Sequence, residues 1–404
     1  MRKRETLLPF SVPAIGEEEI AEVVATLRSG WITTGPRARA FEAAFANFTG
    51  ADAALALNSA TAAMHIALAA LGVGPGDVVI APAVTFCSGV HVIEQVGARA
   101  VLVDVEPDTL NIDPALAASA ARNLREGERL AAIMPVHLHG HPCDRHALIA
   151  IAREHGCAIV EDAAHAFPSR YRGPMIGAAE AAETAGVPVL TAFSFYATKN
   201  LTTGEGGMLT GPAALIDNAR VWSLHGISAD AWQRRGGRAW FYEVTEPGFK
   251  YNMPDIQAAI ALAQLPKMPA FAKRRAEIAH RYNEAFAGFP DLTVPAHRPE
   301  IEHSWHVYSL RVDSPRDEFI EQLFARNIAA SVHFIPIHKH AYYRAKYGWP
   351  ESNFPIASRE WRRLVSLPIY PAMCDEDVED VIAAVTEIVL SNGTTAVSFA
   401  ASEG

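Results

Sequence analysis

Ala158-Ile159-Val160-Glu161-Asp162-Ala163-Ala164-His165 is a short apolar run that ends on two carboxylates and then a histidine. A second run, Thr191-Ala192-Phe193-Ser194-Phe195, passes through Tyr196-Ala197-Thr198 to Lys199-Asn200 and then to Gly204-Glu205-Gly206-Gly207. Short apolar runs bounded by turn residues read as strands buried on both faces. Working outward, similar runs at 54–57, 78–81, 100–103 and 131–136 join those at 158–160 and 189–195, with helix-patterned segments between them. This alternation predicts an α/β fold with a mostly parallel sheet between helices, so ligands should gather at the carboxyl ends of the strands. Ile20, Val23, Val24 and Leu27 recur at helical spacing before Gly30, which predicts a helix ahead of the sheet.

Beyond residue 250 the spacing predicts a helix over 254–265 and a longer one through Arg274-Arg275. Near 290 the texture changes. Residues 292–311 read as strand material, Ser314-Pro315 opens an amphipathic helix carrying Ile320, Leu323 and Phe324, and 331–334 reads as a further strand. The expected division is an N-terminal segment with a large α/β domain over 1–265, a smaller α+β domain over 266–390, and a small, polar tail over 391–404 that frays.

Composition narrows the function. The 404 residues are half apolar and one-fifth charged, ordinary for a folded chain of two or three units. The 35 basic residues against 45 acidic ones leave a net charge of −10, which argues against nucleic acid or a membrane surface as partner. Cys87, Cys143, Cys157 and Cys374 form no C-x-x-C pair, so neither a disulfide scaffold nor a cysteine-built zinc site is expected. A reducing cytoplasm fits. The basic start, Met1 to Arg4, meets Pro9, Pro13 and Glu17 too soon for a signal peptide. The most apolar stretch, 53–72, holds Asn58, Ser59, Thr61 and His65 and reads as strand plus helix. There is no P-loop, and the Gly72 to Asp77 segment has neither the spacing nor the preceding strand of a dinucleotide fingerprint.

Asp162 and Lys199 fall at neighbouring strand ends, where a carboxylate and an amine can share a pocket. Taken singly, Asp162 reads equally as a helix cap and Lys199 as a solvated loop cation. Asn58-Ser59-Ala60-Thr61 opens a helix and exposes amides fit for a phosphate, or is a plain N-cap. Together they meet one demand. Pyridoxal phosphate needs an amine for its Schiff base, an acid beside the ring nitrogen, an anion site and an aromatic over the ring. Lys199, Asp162, the Ser59–Thr61 turn and Phe86 supply these. His137, His139 and His141 alternate at strand spacing, but no acidic partner stands at matching spacing, so no metal is expected. His306 reads as structural.

The chain resembles the DegT/DnrJ/EryC1/StrS sugar aminotransferases, fold type I pyridoxal phosphate enzymes, over about residues 8–390. The resemblance lies in Ser29-Gly30-Trp31-Ile32-Thr33-Thr34-Gly35-Pro36, Asn58-Ser59-Ala60-Thr61-Ala62, Val136-His137, Glu161-Asp162-Ala163-Ala164-His165, Phe193-Ser194-Phe195, Lys199-Asn200 and Gly204-Glu205-Gly206-Gly207. It implies that Lys199 is the Schiff-base lysine, that Asp162 pairs with the ring nitrogen and that His165 lies near the ring oxygen. It further implies that Ala60, Thr61 and Ser194 hold the phosphate and that Phe86 stacks on the ring. Ser59, Trp31, Thr33 and His333 would then face the sugar substrate. Lys250 and Asn252, in Gly248-Phe249-Lys250-Tyr251-Asn252, would reach the partner subunit's cofactor in a homodimer with shared sites.

Within the family the likeness is greatest to enzymes that aminate the 4-keto group of a UDP-sugar, carried also by Asp230-Ala231-Trp232. The Ala-rich insertion over 178–190 and the histidines 139 and 141 depart from that pattern. The implied reaction moves an amino group from glutamate to a keto group of a nucleotide-linked sugar, with Arg234, Arg235 and Arg238 as candidates for the nucleotide's anion pocket. Two rival readings are an aminotransferase for a free keto-cyclitol or other small carbonyl, and a non-catalytic regulator that kept the fold. Loss of Lys199 or Asp162 would favour the regulator, and both are present.

Overall fold

The computed structural model describes residues 4–179, 186–227 and 241–400, with the backbone alone for 392–400. The strands are β1 (Ala53–Leu57), β2 (Asp77–Pro82), β3 (Arg99–Val103), β4 (Arg129–Ile133), β5 (Ala158–Asp162), β6 (Arg170–Tyr171), β7 (Val189–Ser194), β8 (Gly207–Gly211), β9 (Leu292–Thr293), β10 (Ile301–Glu302), β11 (Tyr308–Val312) and β12 (Leu364–Leu367). Seven of them form the main sheet in the order β1-β8-β7-β5-β4-β2-β3. The pairs from β3 to β7 are parallel. Alternation along the strands divides the apolar residues between two faces. Val79 and Ala81 pack with Met64, Leu68 and Val90 on one side, while Val78 and Ile80 pack with Ala117, Leu148 and Ala152 on the other.

β8 is antiparallel to both β1 and β7 and was not expected from the sequence. Its few apolar residues, Met208 and Leu209, lie between glycines that read as turn. β4 also begins and ends earlier than the 131–136 run suggests, because Pro135 breaks the pairing and only Val136 returns, as a single bridge to Asp162.

A second, antiparallel sheet runs β12-β11-β9. Its core joins Tyr308, Leu310 and Val365 to Ile278, Tyr282 and Phe286 of the helix Met268–Phe286 and to Val381, Val385 and Ile388 of the last helix. The strand material read over 292–311 resolves into three strands, of which β10 pairs with β6 outside this sheet. The strand expected over 331–334 reduces to one bridge, Ser331 to Ser366. After it the chain turns toward the main sheet, where Ile337 N donates to Ala83 O at 2.8 Å. The last helix, Asp375–Ala400, extends into the segment expected to fray, with no proline to interrupt it. The N-terminal segment crosses to the second sheet's core: Leu8 is buried there and Arg4 pairs with Asp377 and Asp380. No helix among the described residues is long and apolar enough to cross a membrane.

Candidate active site

The carboxyl ends of β5, β7 and β1 and the start of β8 meet at one edge of the main sheet. Register fixes this: Asp162 lies opposite Ala192, Ser194 opposite Gly207, and Gly207 in turn opposite Leu57. Lys199 follows β7 in a turn closed by its own N–H to Tyr196 O at 2.9 Å. Lys199 is partly accessible, and burial of its amine lowers the pKa to about 8 against the opposing pull of Asp162. Asp162 is buried, and burial pushes its carboxyl above the usual range although Ala164 N–H, at 3.0 Å, and Lys199 favour the charge.

One residue earlier on β5, on the opposite face, Glu161 takes Arg145 Nε at 2.5 Å and Thr191 Oγ1 at 2.7 Å. Burial would raise this carboxyl, but Arg145 and His137 hold it well below the usual range. Glu161 thus anchors the strand end from below while Asp162 faces the site.

The turn after β1 is built for an anion. Ser59 caps the helix Ala60–Ala70, accepting from Ala62 N at 3.1 Å, and that helix start directs amides toward the sheet edge. Gly207 makes the approach possible: a Cβ there would lie 2.3 Å from Ser59 C and 2.6 Å from Ala60 N. Ser194, beside Gly207, therefore stands across the same gap from Ala60 and Thr61.

Histidines close the far side. His165 Nδ1 accepts from His139 N at 3.2 Å, its ring lies 4.6 Å from that of His306, and Phe334 stacks on it at 5.5 Å. Burial, with Lys199 nearby, keeps the His165 imidazole well below its ordinary range. His333 meets the same cluster, 6.3 Å from His165 ring to ring, with Nδ1 2.9 Å from Ser366 Oγ. Phe86 is exposed and lies at the mouth, its ring 5.7 Å from Phe334. Gly140 lets the chains cross here, with φ +102 and a would-be Cβ 2.1 Å from Ser304 Oγ, which itself donates to His165 O at 2.7 Å.

The spacing argument for His137, His139 and His141 does not hold. The chain forms a tight turn at Leu138–Gly140 with His139 at φ +61, so the rings diverge. His137 Nδ1 meets Cys143 N, His139 Nε2 meets His333 O at 2.8 Å, and His141 Nδ1 meets Pro142 O.

Trp31, Thr33, Lys250 and Asn252 lie apart from Lys199, near the outer side of β1. Lys250 Nζ donates to Asn252 Oδ1 at 2.7 Å, Asn252 Nδ2 to Thr34 Oγ1 at 2.5 Å, and Trp31 Nε1 to Thr34 O at 3.2 Å. Asp255, which the sequence did not single out, organises this group by accepting from Gly35, Arg37 and Ala38 N–H. Asp230, Ala231, Trp232, Arg234, Arg235 and Arg238 and the centre of the insertion lie outside the described residues.

These residues suit pyridoxal phosphate. A poised amine and a buried carboxylate, lifted until a cation faces it, stand beside a turn that presents amides and hydroxyls to an anion. A lysine and a carboxylate at neighbouring strand ends of such a sheet define a fold type I pyridoxal phosphate enzyme. Residues 13–386 match the DegT/DnrJ/EryC1/StrS aminotransferase family, and the chain belongs to it.

Among its relatives, the spore coat polysaccharide biosynthesis protein SpsC of Bacillus subtilis is 47% identical over 397 residues, covering 96% of this chain and 99% of the relative. The uncharacterized protein MJ1066 of Methanocaldococcus jannaschii is 44% identical over 396 residues, with the same coverage of both chains. The solved structure of Spr1654 from Streptococcus pneumoniae, a candidate sugar aminotransferase in its PMP form, superposes with a TM-score of 0.87 at 35% identity, covering 95% of this chain and 99% of that one.

Proposed function

We propose that the chain moves an amino group from an amino acid, glutamate being favoured, to a keto group of a nucleotide-linked sugar, a UDP-4-keto sugar being favoured. The observation that carries the chemistry is the Lys199 amine, held near pKa 8 at the end of β7 beside the buried Asp162. The likeness to a candidate sugar aminotransferase and to a polysaccharide biosynthesis protein supports a sugar acceptor.

When bound, pyridoxal phosphate accepts the electrons of the carbon that gains or loses the amino group. Asp162, buried at the end of β5, would hold the proton on the ring nitrogen. Lys199, whose lowered pKa of about 8 leaves a minor neutral fraction at physiological pH, takes a proton onto Nζ in that form and returns it. Ser194 Oγ, Thr61 Oγ1 and the Ala60 amide would hold the phosphate, Phe86 at the mouth would lie against the ring, and Ser59 and His333 would meet the sugar. Trp31 and Thr33, grouped with Lys250 and Asn252 away from Lys199, would meet the sugar from the partner subunit's side of a shared site.

The enzyme works as a homodimer in this reading. Ile20, Val24 and Leu27 form an exposed apolar stripe on the first helix, Glu17–Arg28, which a second copy would cover, and Lys250 and Asn252 would reach the partner's cofactor. The free thiols of Cys143 and Cys157 support a reducing cytoplasm as its location.

The test incubates the purified, cofactor-loaded protein with glutamate and a panel of keto sugars, free and nucleotide-linked. Amination of a UDP-4-keto sugar is the expected result. Turnover of free keto-cyclitols alone would replace the acceptor, and no loss of the cofactor's yellow band with any amino acid would remove aminotransfer.

A further inference from the structure

Asn200 fixes which nitrogen of His306 carries the proton. The Asn200 amide nitrogen donates to Phe167 O and to Ser304 O, both at 3.0 Å, and carbonyls only accept. Its Oδ1 is therefore the atom that lies 3.2 Å from His306 Nδ1, and an acceptor there requires that Nδ1 bear the hydrogen. His306 is buried, and burial together with the positive charges of Lys199 and Arg275 keeps it well below the ordinary histidine range, hence neutral. Its Nε2 is then a bare lone pair, 3.5 Å from Lys199 Nζ. That distance is the outer edge of hydrogen-bond reach, as catalytic contacts often are before substrate arrives.

The imidazole is also held from behind. Arg275 is fully buried, and its Nη1 donates to the carbonyls of Trp305 at 3.1 Å, His306 at 3.4 Å and Ile369 at 2.7 Å. No carboxylate pairs with it among the described residues, and burial lowers its pKa to about 9. The groups that face His306 are thus Lys199, Asn200, Arg275, His165 across a 4.6 Å ring contact, and, further off, His139 and His333. None of these is acidic, so nothing among them favours a charged imidazole.

We propose that His306 is a positioning residue for Lys199: its unprotonated Nε2 accepts a hydrogen from Nζ, orients the amine in the strand-end pocket and stabilises the lysine while it carries a proton. This rests on Lys199 being the lysine that reacts with the cofactor. A charged N–H makes the stronger hydrogen bond, so the acceptor favours the ammonium over the amine. Asn200 sets the tautomer and Arg275 sets the backbone on which the ring stands.

The test follows the association of pyridoxal phosphate with the cofactor-free protein as a function of pH, a rate that requires the neutral amine. The wild-type profile should inflect near 8. In His306→Leu the inflection should move acidward by about 1 pH unit, the scale of one lost hydrogen bond. His306→Gln should restore it, because one amide can donate to Asn200 and accept from Lys199. An unmoved inflection in a folded His306→Leu protein overturns the proposal, and so does a Gln variant that behaves like Leu.

If the Leu variant does not fold, neutron diffraction on the wild type decides, with a deuteron expected on His306 Nδ1. A deuteron on Nε2 overturns the proposal. Failure of the underlying reading has a different signature: Lys199→Ala protein that still joins the cofactor covalently.

Discussion

Burial acts on Lys199 and Asp162 in opposite directions along the pH scale but to one end, since each neutral form is favoured. Lys199 has an ordinary value of 10.5 and falls to about 8 in the fold. Below pH 8 both folded and unfolded chains hold this proton, and the fold bears the cost of a buried ammonium. Between 8 and 10.5 the unfolded chain binds more protons, so stability rises with pH and the cost is gone above 10.5. In cofactor-free protein, Lys199→Met should therefore raise stability at pH 7 by at most about 3 kcal/mol, less where solvent reaches the amine. Urea titrations at pH 7 and 10.5 check it, and an equal gain at both would break the link to the amine. Asp162→Asn should leave the loaded protein folded yet slow amino transfer by at least about 100-fold, since a neutral amide cannot hold the ring nitrogen protonated. A rate within a few-fold of wild type would remove Asp162 from that role. Both residues stood out in the sequence because Asp162 ends one apolar run and Lys199 stands just past another. His306 was not, because its place depends on Asn200 and Arg275, which meet it only in the folded chain.

Strand ends convert these residues into a site, and the element that does so was the hardest to read. β8 has only Met208, Leu209 and Thr210 between glycines, too little pattern to separate from a loop, yet it joins β1 to β7 and sets Ser194 against the Ser59 turn. The parallel strands were legible from their apolar runs, since burial on both faces leaves no alternation to misread. Gly207→Ala tests the β8 contact. The new Cβ would meet backbone atoms of Ser59 and Ala60, which cannot rotate away as a side chain can. The variant should lose at least about 2 kcal/mol of stability, the scale of an overpacked core position, and about tenfold in pyridoxal phosphate affinity. Unchanged melting and binding would mean that β8 yields without disturbing the turn. Thr61→Ala and Ser194→Ala should each cost about 1 to 3 kcal/mol of cofactor binding with little change in melting, the scale of one charge-assisted hydrogen bond. Equal affinity in both would move the phosphate elsewhere.

At the scale of the whole molecule, the segment around Lys250 lies beyond β1, away from the strand end that carries Lys199. Asn252 bridges to Leu57, and Asn58 N donates to Tyr251 O at 2.8 Å, so the segment adds outside β1. From there β1 and β8 intervene before β7, a span of about 14 Å at the usual strand spacing. Lys250 is exposed, and its ammonium is already turned toward Asn252 and the Thr34 loop. Lys250 lies on a segment paired on one side to β1 and on the other to residues 222–225, with its ammonium left in reach of a second copy. In a two-fold dimer each site would then draw Lys199 from one chain and Lys250 from the other. Lys199→Ala and Lys250→Ala homodimers should both be inactive, the first without its amine and the second through loss of an ammonium from the phosphate. Mixing them under conditions that exchange subunits gives hybrid dimers with one intact site each. With random exchange of equal amounts, activity should return to about a quarter of the wild-type value per chain. A fully active Lys250→Ala homodimer would make Lys250 a surface residue, and an inactive mixture of exchanged chains would place both lysines in the same site.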